Sequence, residues 1–154
     1  TMEHPTYSMM KDSNQSCLQF HLTLTDPEEP GSLQRIMGFA NPALLGLLKV
    51  NAIDLYMDAT FDCCPRPFYQ CLILMVYDMM TSMYVPVVYV LMTYKTEILY
   101  WHAMSQIIAL TGWKLEQKSF TSDFKRAIIK SLSTHFPGAF HVGCFFHLKQ
   151  AWRR

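Results

Sequence analysis

CLILMVYDMMTSMYVPVVYVLMTY, residues Cys71 to Tyr94, admits two readings that lead to different proteins. As one helix it is long enough to span a bilayer, which takes about 20 apolar residues. Asp78 opposes that, because a carboxylate inside hydrocarbon is expensive. Thr81-Ser82 also interrupt the middle of the stretch, and Pro86 follows. Each half is rich in Val, Tyr, Ile and Met, the composition of a buried strand. Two strands joined by a turn near Met79 to Ser82 explain the same residues without burying a charge. The chain is therefore read as carrying a hairpin here and no membrane span.

Outward from the hairpin, Ile53 to Phe61 (IDLYMDATF) reads as a strand that Pro65-Arg66-Pro67 breaks. Phe68 to Tyr77 and Tyr84 to Thr93 are the hairpin strands, and short connections predict that the three pair antiparallel. Thr96 can cap a helix running to about Leu110, with Glu97 in its first turn and Gly112 beyond its end. Ile98, Trp101, Ile107, Ile108 and Leu110 are expected on its apolar face. Lys114 to Thr121 predicts a short strand, and Phe124 to His135 an amphipathic helix with Phe124, Ala127, Ile128 and Leu132 at helical spacing. After Pro137-Gly138, Ala139 to Phe146 is a last strand running into a helix at His147. The expected order is three strands, helix, strand, helix, strand, helix: an α/β mixed sheet that starts antiparallel and ends in parallel crossovers, with flanking helices.

Residues 1–32 read as a lead-in or linker and 33–154 as one domain. Asp26-Pro27-Glu28-Glu29-Pro30-Gly31 is a linker signal, although Leu18, Phe20, Leu22 and Leu24 alternate with polar residues as a short strand would. Pro42 to Lys49 is a compact apolar helix candidate with Asn41 as its N-cap. The start at Thr1 suggests a trimmed N-terminus, and Arg153-Arg154 is an abrupt end.

At 51% hydrophobic, 14% aromatic and 16% charged, the 154 residues are too apolar for a disordered chain. Five cysteines and no secretory signal point to a reduced, intracellular compartment. The net charge of +1 hides an asymmetry. From Gly112 onward eight Lys and Arg face two acids, whereas the first 111 residues hold five bases and ten acids. A basic C-terminal third suits a polyanion through counterion release, although charge alone favours the plainer reading of a solvated helix face.

Asp58 lies inside the first predicted strand and Asp123 at the end of the fourth, just before a helix. If those strands are parallel neighbours, both carboxylates reach one spot outside the strand carboxyl ends, where open α/β sheets bind ligands. Two carboxylates tolerate each other best around a divalent cation, and hard oxygen ligands suit Mg²⁺ or Mn²⁺. Two such ions support phosphodiester cleavage. An Asp before a helix is, however, most often a cap, while a carboxylate inside an apolar strand needs some partner. Asp54 and Asp62 share a strand face with Asp58, so spacing leaves the three open.

Five stretches carry a resemblance. They are Met57-Asp58-Ala59-Thr60-Phe61, Pro67-Phe68-Tyr69-Gln70, Val85 to Thr93 with Lys95-Thr96-Glu97, Ser122-Asp123-Phe124, and Gly143-Cys144-Phe145-Phe146-His147 running on to Ala151. In this order the run from about Arg35 to Arg154 resembles the catalytic domain of Mutator-like element (MULE) transposases. The resemblance implies an RNase H-like fold, here incomplete, with Asp58 and Asp123 as the first two catalytic acids and ligands of Mg²⁺ or Mn²⁺. It also implies DNA as partner, the nucleus as location, and room for a homo-oligomer. Cys144 and His147 match the family's Cys-x-x-His pair, which is too few ligands for a zinc site of its own. Lys125, Arg126, Lys130 and Lys149 are the expected contacts to nucleic acid. Two departures stand out: Lys125 replaces the acid of the family's Asp-Phe-Glu, and no acidic residue follows Asp123. The family's third acid would lie beyond Arg154, so the expectation is a transposase core that is inactive as given. A non-catalytic, transposase-derived module binding DNA or protein is the alternative, with a small membrane protein as a third.

Overall fold

A computed structural model describes residues 4–25, 29, 31–61 and 64–153. A single helical turn, α1 (Pro5–Ser8), leads into β1 (Leu18–Thr25) and β2 (Leu33–Ala40). Then come β3 (Ile53–Thr60), β4 (Gln70–Asp78) and β5 (Met83–Met92). Helix α2 (Glu97–Leu110), β6 (Gln117–Ser122), α3 (Arg126–His135), β7 (Phe140–Gly143) and α4 (Phe145–Trp152) complete the chain. The seven strands form one sheet in the order β1-β2-β5-β4-β3-β6-β7. β3, β4 and β5 pair antiparallel, and β6 and β7 add parallel to β3. This is the expected mixed α/β sheet, and its arrangement is compatible with an RNase H-like fold.

The stretch Cys71–Tyr94 folds as the β4–β5 hairpin. Asp78 organises the turn, accepting hydrogen bonds from the Thr81 hydroxyl at 2.7 Å and from the backbone N–H of Met80 and Thr81 at 3.2 and 3.3 Å. The Thr81 hydroxyl, with those N–H groups, holds the Asp78 carboxyl below its ordinary pKa. Pro86 is tolerated because β2 stops pairing at Val88, so no strand on that side needs its missing N–H. Among the described residues no helix is long and apolar enough to cross a membrane.

Two strands extend the sheet beyond the expected order. The alternation in Leu18 to Leu24 becomes edge strand β1, while most of the linker signal lies outside the described residues. β2 was not expected: Ile36, Met37 and Gly38 are consecutively buried, so no alternation marks it. The segment after Asn41 is a 3-10 helix (Leu44–Lys49) rather than an α-helix, and the Asn41 side chain accepts from the Ala43 N–H.

One sheet face and two helices make the core. Leu55, Met57, Leu72, Leu74, Val76, Val88, Val90 and Phe120 pack with Leu99, Tyr100, Ala103, Met104 and Ile107 of α2 and with Ile128 and Leu132 of α3. The buried stripe of α2 thus runs through Leu99, Tyr100, Ala103 and Met104. Ile98 and Trp101, expected inside, are exposed. The opposite sheet face carries Tyr77, Tyr84 and Tyr89, each more than a third exposed. Tyr84 meets Tyr56 and Tyr77 edge-on or tilted at 4.8 and 5.1 Å between ring centres.

Candidate active site

The parallel β3–β6 ladder runs toward the two aspartates. Asp54, Leu55 and Tyr56 pair with Ser119, Phe120 and Thr121, a constant offset of 65 positions. Continued two residues beyond the last recorded pair, the same offset would place Asp58 level with Asp123, which lies just past the end of β6. Both aspartates stand at the carboxyl ends of central strands. Asp54 is elsewhere: its Oδ1 accepts the Ser119 hydroxyl at 2.6 Å, four residues nearer the strand start. Asp62 lies outside the described residues.

The carboxylates differ in surroundings. Asp58 is half exposed; its Oδ1 accepts the Ala59 N–H at 2.8 Å and lies 3.7 Å from His147 Nε2, a contact that becomes an ion pair when the imidazole is protonated. Asp123 is 6% exposed, and Lys125 engages both of its oxygens. Oδ1 accepts the Lys125 N–H at 3.1 Å and Oδ2 meets the Lys125 ammonium at 2.8 Å. That ammonium also stands over the Phe61 ring, 4.6 Å from its centre. Asp123 thus closes a turn onto the N–H two residues on, just before α3, and is not the helix N-cap: that position is Lys125, which makes no side-chain cap bond.

Behind Asp123 lies a buried polar pair that sequence patterning did not reveal. The Tyr100 hydroxyl donates to Gln70 Oε1 at 3.0 Å, and Gln70 Nε2 donates to Met92 Sδ and the Tyr94 carbonyl. Burial pushes the Tyr100 hydroxyl up to about 12, with the Gln70 side chain pulling it back and the field of Asp123 adding a smaller rise. The helix cap differs from expectation too: Thr96 makes no cap bond and donates across to Gln34 Oε1.

β7 and α4 close the other side. The Cys144 N–H donates to the Ser122 carbonyl at 2.8 Å, and the Ser122 hydroxyl lies 3.0 Å from His141 Nε2. Cys144 precedes α4 and His147 follows within its first turn. His147 reaches toward Asp58, and its Nδ1 is buried without a hydrogen-bond partner. Of the expected nucleic-acid contacts, Lys130 pairs with Glu97 at 2.8 Å on the surface and Lys149 lies over the Phe145 ring. Arg126 is exposed at the start of α3.

The MULE transposase domain profile matches residues 55–151, which is 97 of the 154 residues and runs from β3 into α4. The chain belongs to the MULE transposase family. A comparison with curated proteins finds no match. The matched segment of this MULE domain contains both aspartates, the Cys144/His147 pair and the four basic residues, and leaves β1 and β2 outside. The family suggests a divalent metal requirement.

The donors as folded do not fit such an ion. Mg²⁺ wants a near-octahedral set of oxygens, with one or two carboxylates free to face it. Here both Asp123 oxygens are committed to Lys125 and Asp58 Oδ1 to a backbone N–H. Among the described residues no group of three or more His, Cys, Asp or Glu could hold a metal ion.

Proposed function

We propose that this chain is the DNA-engaging core of a MULE transposase, acting in the nucleus, which as folded holds DNA without cutting it. The observation that supports this is the Lys125 ammonium and N–H on Asp123, the second acid that the resemblance implies: its charge is balanced within the chain. Arg126 opens α3 shortly after β6 and Lys149 lies in the helix after β7, so two basic residues outside the Asp123 pair follow the carboxyl ends of adjacent parallel strands. A phosphate backbone is the polyanion that such a surface suits, and affinity should come from counterion release.

Metal-dependent cleavage and strand transfer with Mg²⁺ or Mn²⁺ is the second reading, favoured by the adjacency of Asp58 and Asp123 and opposed by their present partners. The test of DNA engagement is fluorescence anisotropy of a labelled duplex across a salt series. Affinity should fall steeply with salt, and Arg126→Ala and Lys149→Ala should each reduce the log–log slope by about 1. A salt-indifferent affinity, or slopes unchanged by both substitutions, would refute the reading.

A further inference from the structure

We propose that the Lys125 ammonium is the resident cation of the Asp58–Asp123 site and keeps divalent ions out of it. The inference rests on the reading above and names what occupies Asp123.

Three features make Lys125 more than a casual surface partner. Its ammonium is 2.8 Å from Asp123 Oδ2, and that carboxylate's side chain is only 8% exposed. Water therefore competes weakly for the carboxylate, while the Lys125 side chain keeps about a third of its surface in solvent. The Lys125 backbone N–H takes the other oxygen, so one residue engages both carboxylate oxygens. The ammonium also stands over the Phe61 ring, 4.6 Å from its centre, a contact favourable to a partly desolvated cation. Phe61 follows Thr60 at the end of β3, three residues after Asp58, so both aspartate strands contribute to holding the lysine.

An ammonium is a compact point charge with three donors, which lets it stand where a small metal ion would. It differs in being tethered two residues from Asp123, so a free ion competes against a cation at high effective concentration. To bind at Asp123, a divalent ion must displace Lys125 from both the carboxylate and the ring. It must then tolerate the ammonium nearby, a like-charge repulsion. The remaining carboxylate, Asp58, is half exposed and cannot by itself offset that cost.

The test is a titration of Mn²⁺ into the full chain, read by loss of the free-ion signal in electron paramagnetic resonance. Five proteins are compared: the unaltered chain, Lys125→Met, Lys125→Glu, Lys125→Arg, and Lys125→Met with Asp58→Asn. Lys125→Met keeps an apolar stem against Phe61 and should bind Mn²⁺ at least about tenfold more tightly than the unaltered chain, because a nearby positive charge has gone. Lys125→Glu, which adds a third carboxylate, should bind more tightly still. Lys125→Arg should exclude the ion as lysine does, and Asp58→Asn should abolish the gain. Circular dichroism checks folding, and Lys125→Gln replaces the methionine variant if that one fails to fold. Equal Mn²⁺ affinity in the unaltered chain and the neutral variant would overturn the proposal, as would a gain indifferent to Asp58→Asn. Anisotropy on the same samples separates the two claims: salt-dependent DNA binding without an Mn²⁺ difference rejects the lysine's role alone, and loss of that binding rejects the DNA reading.

Discussion

Replacing Tyr100 with phenylalanine tests the junction behind Asp123 with little change of shape. The tyrosine is 1% exposed and its hydroxyl is the donor to Gln70 Oε1, itself fully buried. Removing the hydroxyl strands a buried carbonyl oxygen, which costs about 1–3 kcal/mol. For a chain of this length that lowers Tm by about 2–4 °C per kcal/mol. Tyr100→Phe with Gln70→Met removes both partners and should recover part of the loss, the recovery being limited because the Tyr94 carbonyl also loses its Gln70 donor. The titration supplies an independent check. The folded hydroxyl titrates at about 12 against 10.0 when exposed. Between those values the native state holds the proton that the unfolded chain has lost. The stabilisation is therefore complete below pH 10 and disappears as pH rises through 12, an amount on the order of 3 kcal/mol. Urea unfolding from pH 8 to 11 should show the difference between the unaltered chain and Tyr100→Phe narrowing as pH climbs. A phenylalanine variant as stable as the original at pH 8, with a parallel alkaline limb, would refute the assignment.

Gly38→Ala and Gly143→Ala should differ although both new methyl groups would land on a phenylalanine ring. Phe20, which faces Gly38, is locked in the core, whereas Phe124, which faces Gly143, is half exposed and can swing away. Thermal melts should show a loss of about 1–3 kcal/mol for the first and under about 1 for the second. Asp78→Ala should speed amide exchange at Met80 and Thr81 while leaving β3 protected. In the unaltered chain the same amides should loosen only as pH falls below the ordinary carboxyl value of 3.8, since the folded carboxyl titrates lower. The bare tyrosines of the open sheet face, with Phe145, Phe146 and Trp152 of α4, should promote self-association. Sedimentation at increasing concentration checks this, and a monodisperse monomer throughout would count against it.

Strong local signals read through to the fold. The hairpin at Asp78 and the β3-β4-β5 meander follow from apolar runs punctuated by one acid and one turn. Gly112, at a φ of 65°, takes the left-handed conformation expected past a helix end. β2 escaped because a strand flanked by two neighbours and partly buried on both faces loses the period of two that identifies strands. Trp101 and Ile98 were misplaced because α2 is apolar nearly all round, so the sequence leaves its buried stripe undefined. At the site, the offset between Asp58 and Asp123 was legible once the crossover was assumed. The contacts of Lys125 were not: its replacement of an acid is visible in the sequence, but whether its ammonium meets phosphate or Asp123 depends on a rotamer. The Gln70–Tyr100 pair gives no sequence signal, since its partners lie 30 positions apart in apolar surroundings.

The most direct test of the account is an end-labelled duplex incubated with the chain and Mn²⁺, resolved on native and denaturing gels. Engagement without cutting predicts a salt-sensitive shift on the native gel and an intact strand on the denaturing one. Cleavage products that vanish in Asp58→Asn would contradict it, showing that Asp123 gives up Lys125 and that the site works as it stands.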